Sequence, residues 1–185
     1  MIAIRRATPG DAPAIARVRV DSWRTTYRGM IPDAYLDGMQ IEASTASWDR
    51  VLAAGPNTTS VFVAGHGADV VGFACGTMLN EPKHGLDAEL AAVYLRREFQ
   101  HAGVGRRLVG AVVEAQRAHH ATGLLTWVIA GNKGARSFYE TLGGELVVEQ
   151  PFHWDGMDLI EAGYGWRDLA ALAAACRVEA FEAKP

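Results

Sequence analysis

The chain holds 185 residues, 18 basic and 21 acidic, for a formal charge of −3. That size fits one domain with a self-sufficient core, and an apolar share of 49% excludes intrinsic disorder. The near-neutral balance supplies no basic field for nucleic-acid binding, and the longest apolar run, 169–176, falls well short of the roughly 20 residues a membrane span needs.

Residues 2–6 (IAIRR) alternate as a short strand, and Thr8-Pro9-Gly10-Asp11 breaks it with helix-start chemistry. The opening residues carry charge but no apolar stretch, so no secretory leader is expected and the protein reads as cytoplasmic. Ile15, Val18, Ser22 and Trp23 at helical spacing predict a helix over 11–30, closed by Gly29 and Pro32, with a second over 42–54. Three strands follow at Ser60–Ala64, Val70–Met78 and Glu89–Leu95. A hairpin at His66-Gly67-Ala68-Asp69 joins the first two, and a charged loop, Asn80 to Asp87, separates the second from the third. Val104, Leu108, Val109, Val112 and Val113 then mark one face of a long helix.

A strand at Leu124–Ile129 comes next, then a short helix at 133–142 capped by Gly143-Gly144. The last strands are Glu145–Glu149 and Met157–Tyr164, with His153-Trp154-Asp155-Gly156 in the loop between them. Trp166 to Ala183 reads as an alanine-rich helix with a polar tail. Helices interleaved with a largely antiparallel sheet give an α/β (α+β) class. Cys75 and Cys176 match no zinc or redox spacing and read as free core thiols.

The most informative segment runs from Val93-Tyr94-Leu95 through Gln100-His101-Ala102-Gly103-Val104-Gly105-Arg106. A strand ends, a loop places two glycines one residue apart, and a helix begins at once. First-turn N–H groups have no intrahelical partner, so with the helix dipole they form an anion cradle suited to a pyrophosphate. Leu108 stands where a dinucleotide fingerprint needs a third glycine or alanine, and no lysine follows the loop to make a P-loop. Two glycines alone leave a ligand-free turn open. A second segment, Asn132 through Ala135, Phe138-Tyr139-Glu140 and Leu142-Gly143, lies about thirty residues further on.

Together these segments resemble motifs A and B of the GNAT acyl-CoA-dependent N-acetyltransferases. Motif A is Gln/Arg-x-x-Gly-x-Gly/Ala, matched by Gln100, Gly103 and Gly105; motif B is an Asn, then Ala-x-x-Phe-Tyr-Glu, then Leu-Gly. Arg97 stands where proline is common. Trp23, Tyr27, Arg28, Gly29, Pro32 and Leu36, and the ending Tyr164-Gly165-Trp166, are similar to one branch of the family. The resemblance covers about residues 2–168 and implies a GNAT domain over 1–168 with a helical extension over 169–185. It also implies a mixed, mostly antiparallel sheet splayed between its fourth and fifth strands, with helices on both faces.

It further implies acetyl-CoA as donor, bound by Val93, Tyr94, Leu95, Gln100, His101, Ala102, Gly103, Val104, Gly105, Arg106, Asn132 and Tyr139. Backbone N–H groups near Val93 and Leu95 would polarise the thioester carbonyl, and one such donor is worth ~3 kcal/mol. Tyr139 is the implied general acid and Glu89 the implied base, with Asp87, or no residue at all, as alternatives. Trp23 and Tyr27, with Tyr35, are the implied acceptor-site residues, and Glu81, Asp87 and Glu89 would make that side acidic.

The six histidines form no metal set, since the adjacent His119 and His120 cannot share a helix face and the others lie in loops. The expected partner is a small-molecule amine rather than a protein, without nucleic acid, membrane or metal; a homodimer through the apolar 169–176 helix is open. Arginine's excess over lysine fits a GC-rich bacterial source. The competing reading is a non-catalytic acyl-CoA-binding module.

Overall fold

A computed structural model describes residues 1–55 and 58–177. Seven strands form one sheet: β1 (Ile2–Arg6), β2 (Thr59–His66), β3 (Asp69–Lys83), β4 (Leu86–Leu95), β5 (Leu124–Ile129), β6 (Glu145–Trp154) and β7 (Met157–Trp166), in the order β1-β2-β3-β4-β5-β7-β6. Every pairing is antiparallel except β4 with β5. The helices are α1 (Ala12–Thr26), α2 (Asp33–Gly38), α3 (Ile41–Ala53), α4 (Val104–Ala118), α5 (Lys133–Thr141) and α6 (Leu169–Cys176). The sheet is mixed and mostly antiparallel, with helices on both faces, as the sequence predicts.

All seven predicted strands exist, but several run longer than their apolar patterns. The segment 80–87, expected as a loop, continues β3 to Lys83 and starts β4 at Leu86, leaving a tight turn at His84-Gly85. Its residues are exposed and polar up to Gly85, so no buried face marked them as strand. The 145–149 strand likewise extends to Trp154, closing on a turn at Asp155-Gly156 where both φ angles are positive. The predicted 11–30 helix stops at Thr26, and the 42–54 helix begins one residue earlier, at Ile41, after the short α2. Of the helix read over 166–183, Leu169–Cys176 is observed, and 178–183 lies outside the described residues.

Two apolar layers sandwich the sheet. On one face, Val104, Leu108, Val109, Val112 and Val113 of α4 pack on Ala88, Leu90 and Leu124, with Leu172 and Cys176 of α6 in the same cluster. Gly110 permits this, because a Cβ there would stand 2.9 Å from the Cβ of Cys176. On the other face Ile15 and Val18 of α1 meet Val61, Val63, Phe73 and Cys75, with Trp48 of α3 closing the layer.

The feature that matters most lies at mid-sheet. The β4–β5 ladder consists of Ala88↔Leu124 and Glu89↔Leu125, and there it ends. The Thr126 hydroxyl donates to the Leu90 carbonyl at 2.9 Å and laces the strands at the point of separation. Next to it, Cys75 opposes Ala92 while Gly76 opposes Leu90, so Ala91 is an extra residue, a β-bulge.

Candidate functional site

The bulge decides which backbone groups reach the gap. Before it, the Ala88 N–H donates to Gly123 and the Leu90 carbonyl accepts from Thr126, so these residues face β5. After it, the Arg96 N–H donates to the Val71 carbonyl, which makes Arg96↔Val71 a hydrogen-bonded pair toward β3. Antiparallel pairs alternate, so Tyr94 also bonds toward β3 while Val93 and Leu95 turn their N–H groups toward β5. The Leu95 carbonyl agrees: it accepts from Ser22 Oγ and Gln100 Nε2 rather than from β3. Val93 and Leu95 thus turn their N–H groups to a cleft where, among the described residues, no ladder partner stands.

At the end of that cleft begins α4. Gly103, in the left-handed region at φ 76°, is its N-cap, and His101 also has a positive φ, 60°. Helix α4 makes its first backbone bond from Arg107 to Gly103, so the N–H groups of His101, Ala102, Gly103, Val104, Gly105 and Arg106 have no acceptor among the described residues. A Cβ at Gly105 would lie 3.3 Å from Leu95 Cδ1, so glycine lets the helix start sit against the strand end. Six consecutive free donors at a helix N-terminus suit a pyrophosphate, and two along a strand edge suit an amide chain. These residues fit the group that the sequence reading assigns to them.

Helix α5 closes the far wall. Asn132, buried, caps it by accepting from the Ala135 N–H at 3.1 Å. Its far end is tied down by Trp166 Nε1 donating to the Leu142 carbonyl and by Tyr164 donating to Glu140. So anchored, α5 holds Tyr139 at 6% exposure, with its hydroxyl toward Thr126 and near Tyr94. Burial pushes the Tyr139 phenol up to about 12 despite the Thr126 contact, so it stays protonated at neutral pH. Tyr27 is also buried and raised by desolvation, and its hydroxyl faces Tyr94 and Asn132. Tyr27, Tyr94 and Tyr139 therefore converge on the region where β4 leaves β5.

Glu89 is half-buried and pairs with Thr77 across β3–β4 on the α1 face. Burial raises its pKa, Lys83 opposes the shift, and Glu161 adds to it. Asp87, two residues earlier, is committed elsewhere. It accepts from the Thr122 N–H, the Thr122 hydroxyl and the Gly123 N–H, clamping the turn before β5. Desolvation opposes those bonds, and the bonds prevail, lowering its pKa. Glu81 is exposed on the β3–β4 hairpin. Of the three carboxylates expected to make that side acidic, Glu89 is the one that is half-buried on the α1 face, with Glu161 near it.

A cavity of about 750 Å³ opens on that face between α1, α3 and the sheet, lined by Arg19, Trp23, Trp48, Cys75, Thr77, Ala91 and Tyr94 among others. Trp23 stacks edge-on to Tyr27 at 4.9 Å and lies 5.4 Å from Trp154, which in turn contacts Tyr35. The structure thus brings Trp23 to the cavity wall and places Tyr27 behind it. Sequence reading missed Ala91, Thr126 and Glu161 as parts of the site. A lone threonine in the apolar run LLTWVI was the one available signal. Both cysteines are free and buried, and no cluster of three potential ligands is placed for a metal among the described residues. No described helix is long and apolar enough to cross a membrane.

Comparison with known proteins gives a consistent picture. The model of the acetyltransferase (GNAT) family matches residues 19–143. An uncharacterized N-acetyltransferase of Bacillus subtilis, YuaI, is 37% identical over 173 residues, covering 93% of this chain and 96% of its own. Among solved structures, the PaiA N-acetyltransferase of Thermoplasma acidophilum in complex with coenzyme A superposes with a TM-score of 0.69 at 21% identity, covering 88% of this chain and 98% of that one. The putative acetyltransferase yncA of Salmonella typhimurium with acetyl-CoA gives 0.68 at 17%, covering 90% and 94%. At those identities the solved structures speak for the fold.

Proposed function

The chain belongs to the GNAT acetyltransferase family and takes acetyl-CoA as its acetyl donor; on that premise we propose that Tyr139 and Glu89 serve direct transfer to a primary amine, with both substrates bound at once. The observation that carries this reading is the coincidence, at one opening in the sheet, of eight free backbone donors and a protonated buried phenol. The donor supplies an activated thioester carbonyl. The N–H groups of Val93 and Leu95 orient that carbonyl and stabilise its developing negative charge, each worth ~3 kcal/mol. The N–H groups of His101–Arg106 hold the pyrophosphate, with Gln100 fixing the loop through the Leu95 carbonyl.

Glu89 receives the proton that the attacking amine must lose, helped by a pKa raised toward the working range. Tyr139 gives its proton to the departing thiolate. Trp23 lines the acceptor cavity, with Tyr27 supporting it from behind. Acetyl-CoA is expected to raise the melting temperature saturably and more than dephospho-CoA does, since a ligand at 100 times its Kd adds ~2.7 kcal/mol. Tyr139→Phe should keep that shift and lose roughly 10²-fold in kcat, the usual scale of general acid catalysis. An unchanged kcat in Tyr139→Phe would remove the phenol from the reaction.

A further inference from the structure

The cavity between α1, α3 and the sheet carries a charge pattern that a plain amine pocket does not require. Among the described residues its lining includes two cations, Arg19 and Arg50, and no carboxylate. Among the described residues neither arginine forms an ion pair. The Arg19 guanidinium lies 4.7 Å over the Trp23 ring, a contact that holds the planar group, and its edge N–H donors have no acceptor among the described residues. Arg50 donates to the Ala46 carbonyl and the Ser47 hydroxyl on its own helix. Asp155 faces the Tyr35 hydroxyl beside Arg19 without pairing with the guanidinium. On the sheet side, Cys75, Thr77 and Ala91 form the floor next to Glu89, the cross-strand partner of Thr77.

A cavity with cations on its helix walls and a carboxylate beside its floor matches a ligand with both signs of charge. A polyamine would meet two like charges there. We infer that the acceptor is a small amine that also bears an anionic group, carboxylate or phosphonate, with its nitrogen toward Glu89 and its anion on Arg19, backed by Arg50. Trp23, Trp48 and Tyr94 would flank the carbon stem between the two ends. This inference rests on the acetyl-transfer reading above and names the substrate class of the same site.

The test titrates the coenzyme A-loaded protein calorimetrically with two matched pairs: L-phenylalanine against L-phenylalaninamide, and 2-aminoethylphosphonate against propylamine. In at least one pair the anionic member is expected to bind about tenfold tighter or more, and the pair that responds identifies the anion. Arg19→Gln should erase most of that ratio, and Arg19→Lys should retain part of it. Both variants should keep the thermal shift given by acetyl-CoA, which confirms an intact fold. Equal affinities within both pairs, no binding by any of the four, or a ratio untouched by Arg19→Gln overturns the inference. Acetylation of the same amines separates the two readings. Discrimination in binding without transfer counts against Glu89 and Tyr139 alone, whereas transfer without discrimination counts against the anion site alone.

Discussion

Glu89 and Asp87 are the same kind of residue two positions apart on one strand, and the fold gives them opposite electrostatics. Asp87 is held low by the N–H groups of Gly123 and Thr122 and the Thr122 hydroxyl, partners 35 and 36 positions away. Glu89 has no such donors among the described residues and is raised by burial, with Glu161 adding to the shift. A base works only when deprotonated, so kcat/KM should fall on the acid side with an apparent pKa above the ordinary glutamate value of about 4.3. Glu89→Gln should abolish that limb and cost on the order of 10²-fold in rate. A pH–rate profile of the wild type from about 4 to 9 checks it, and an acid side unchanged in Glu89→Gln would exclude Glu89 as the base. Sequence alone left Asp87 and Glu89 as rivals, because what distinguishes them is a tertiary contact with a distant turn. The placement of Tyr139 on a short helix, by contrast, was legible, since its spacing from Asn132 and Leu142 fixes it along α5.

Strands and helices with a clear apolar face were read to within a few residues, as at Leu124–Ile129 and α4. The polar hairpin at 80–87 was not, because its pairing is satisfied by backbone hydrogen bonds and leaves no periodic trace. Helix α6 poses the reverse problem, an apolar run whose destination the pattern does not reveal. In the fold its Leu169, Leu172, Ala173 and Cys176 join the core under α4, so this part of the expected extension is packed as core. Leu172, at 1% exposure, tests that assignment. Leu172→Ala should lower unfolding free energy by about 2–4 kcal/mol in urea, the ordinary cost of an emptied leucine site. A loss below about 0.5 kcal/mol, the scale of a surface substitution, would mark α6 as an appendage.

At the scale of the whole molecule, the site draws on β4, the start of α4, α5, α1 and α3, and nothing local announces that they meet. The topology was accessible through motif order, and the turn at Gly103 that opens α4 with it. The aromatic wall of the cavity was legible only in part, because Trp23 and Trp154 come together from distant parts of the chain. What opens the centre is Ala91, opposed by no residue of β3. Deleting Ala91 should leave a folded chain by circular dichroism yet abolish the melting shift given by acetyl-CoA, whereas Ala91→Ser should keep it. A deletion variant that still shows the full shift would assign the opening to another cause. The reason is one of length: β4 spends two residues, Leu90 and Ala91, on a single step of β3, and that excess bends it away from β5. The bend depends on how many residues the strand contains, not on which residue stands at 91. The opening in the sheet is therefore written in the chain as a count, open to substitution at that position and closed to the loss of it.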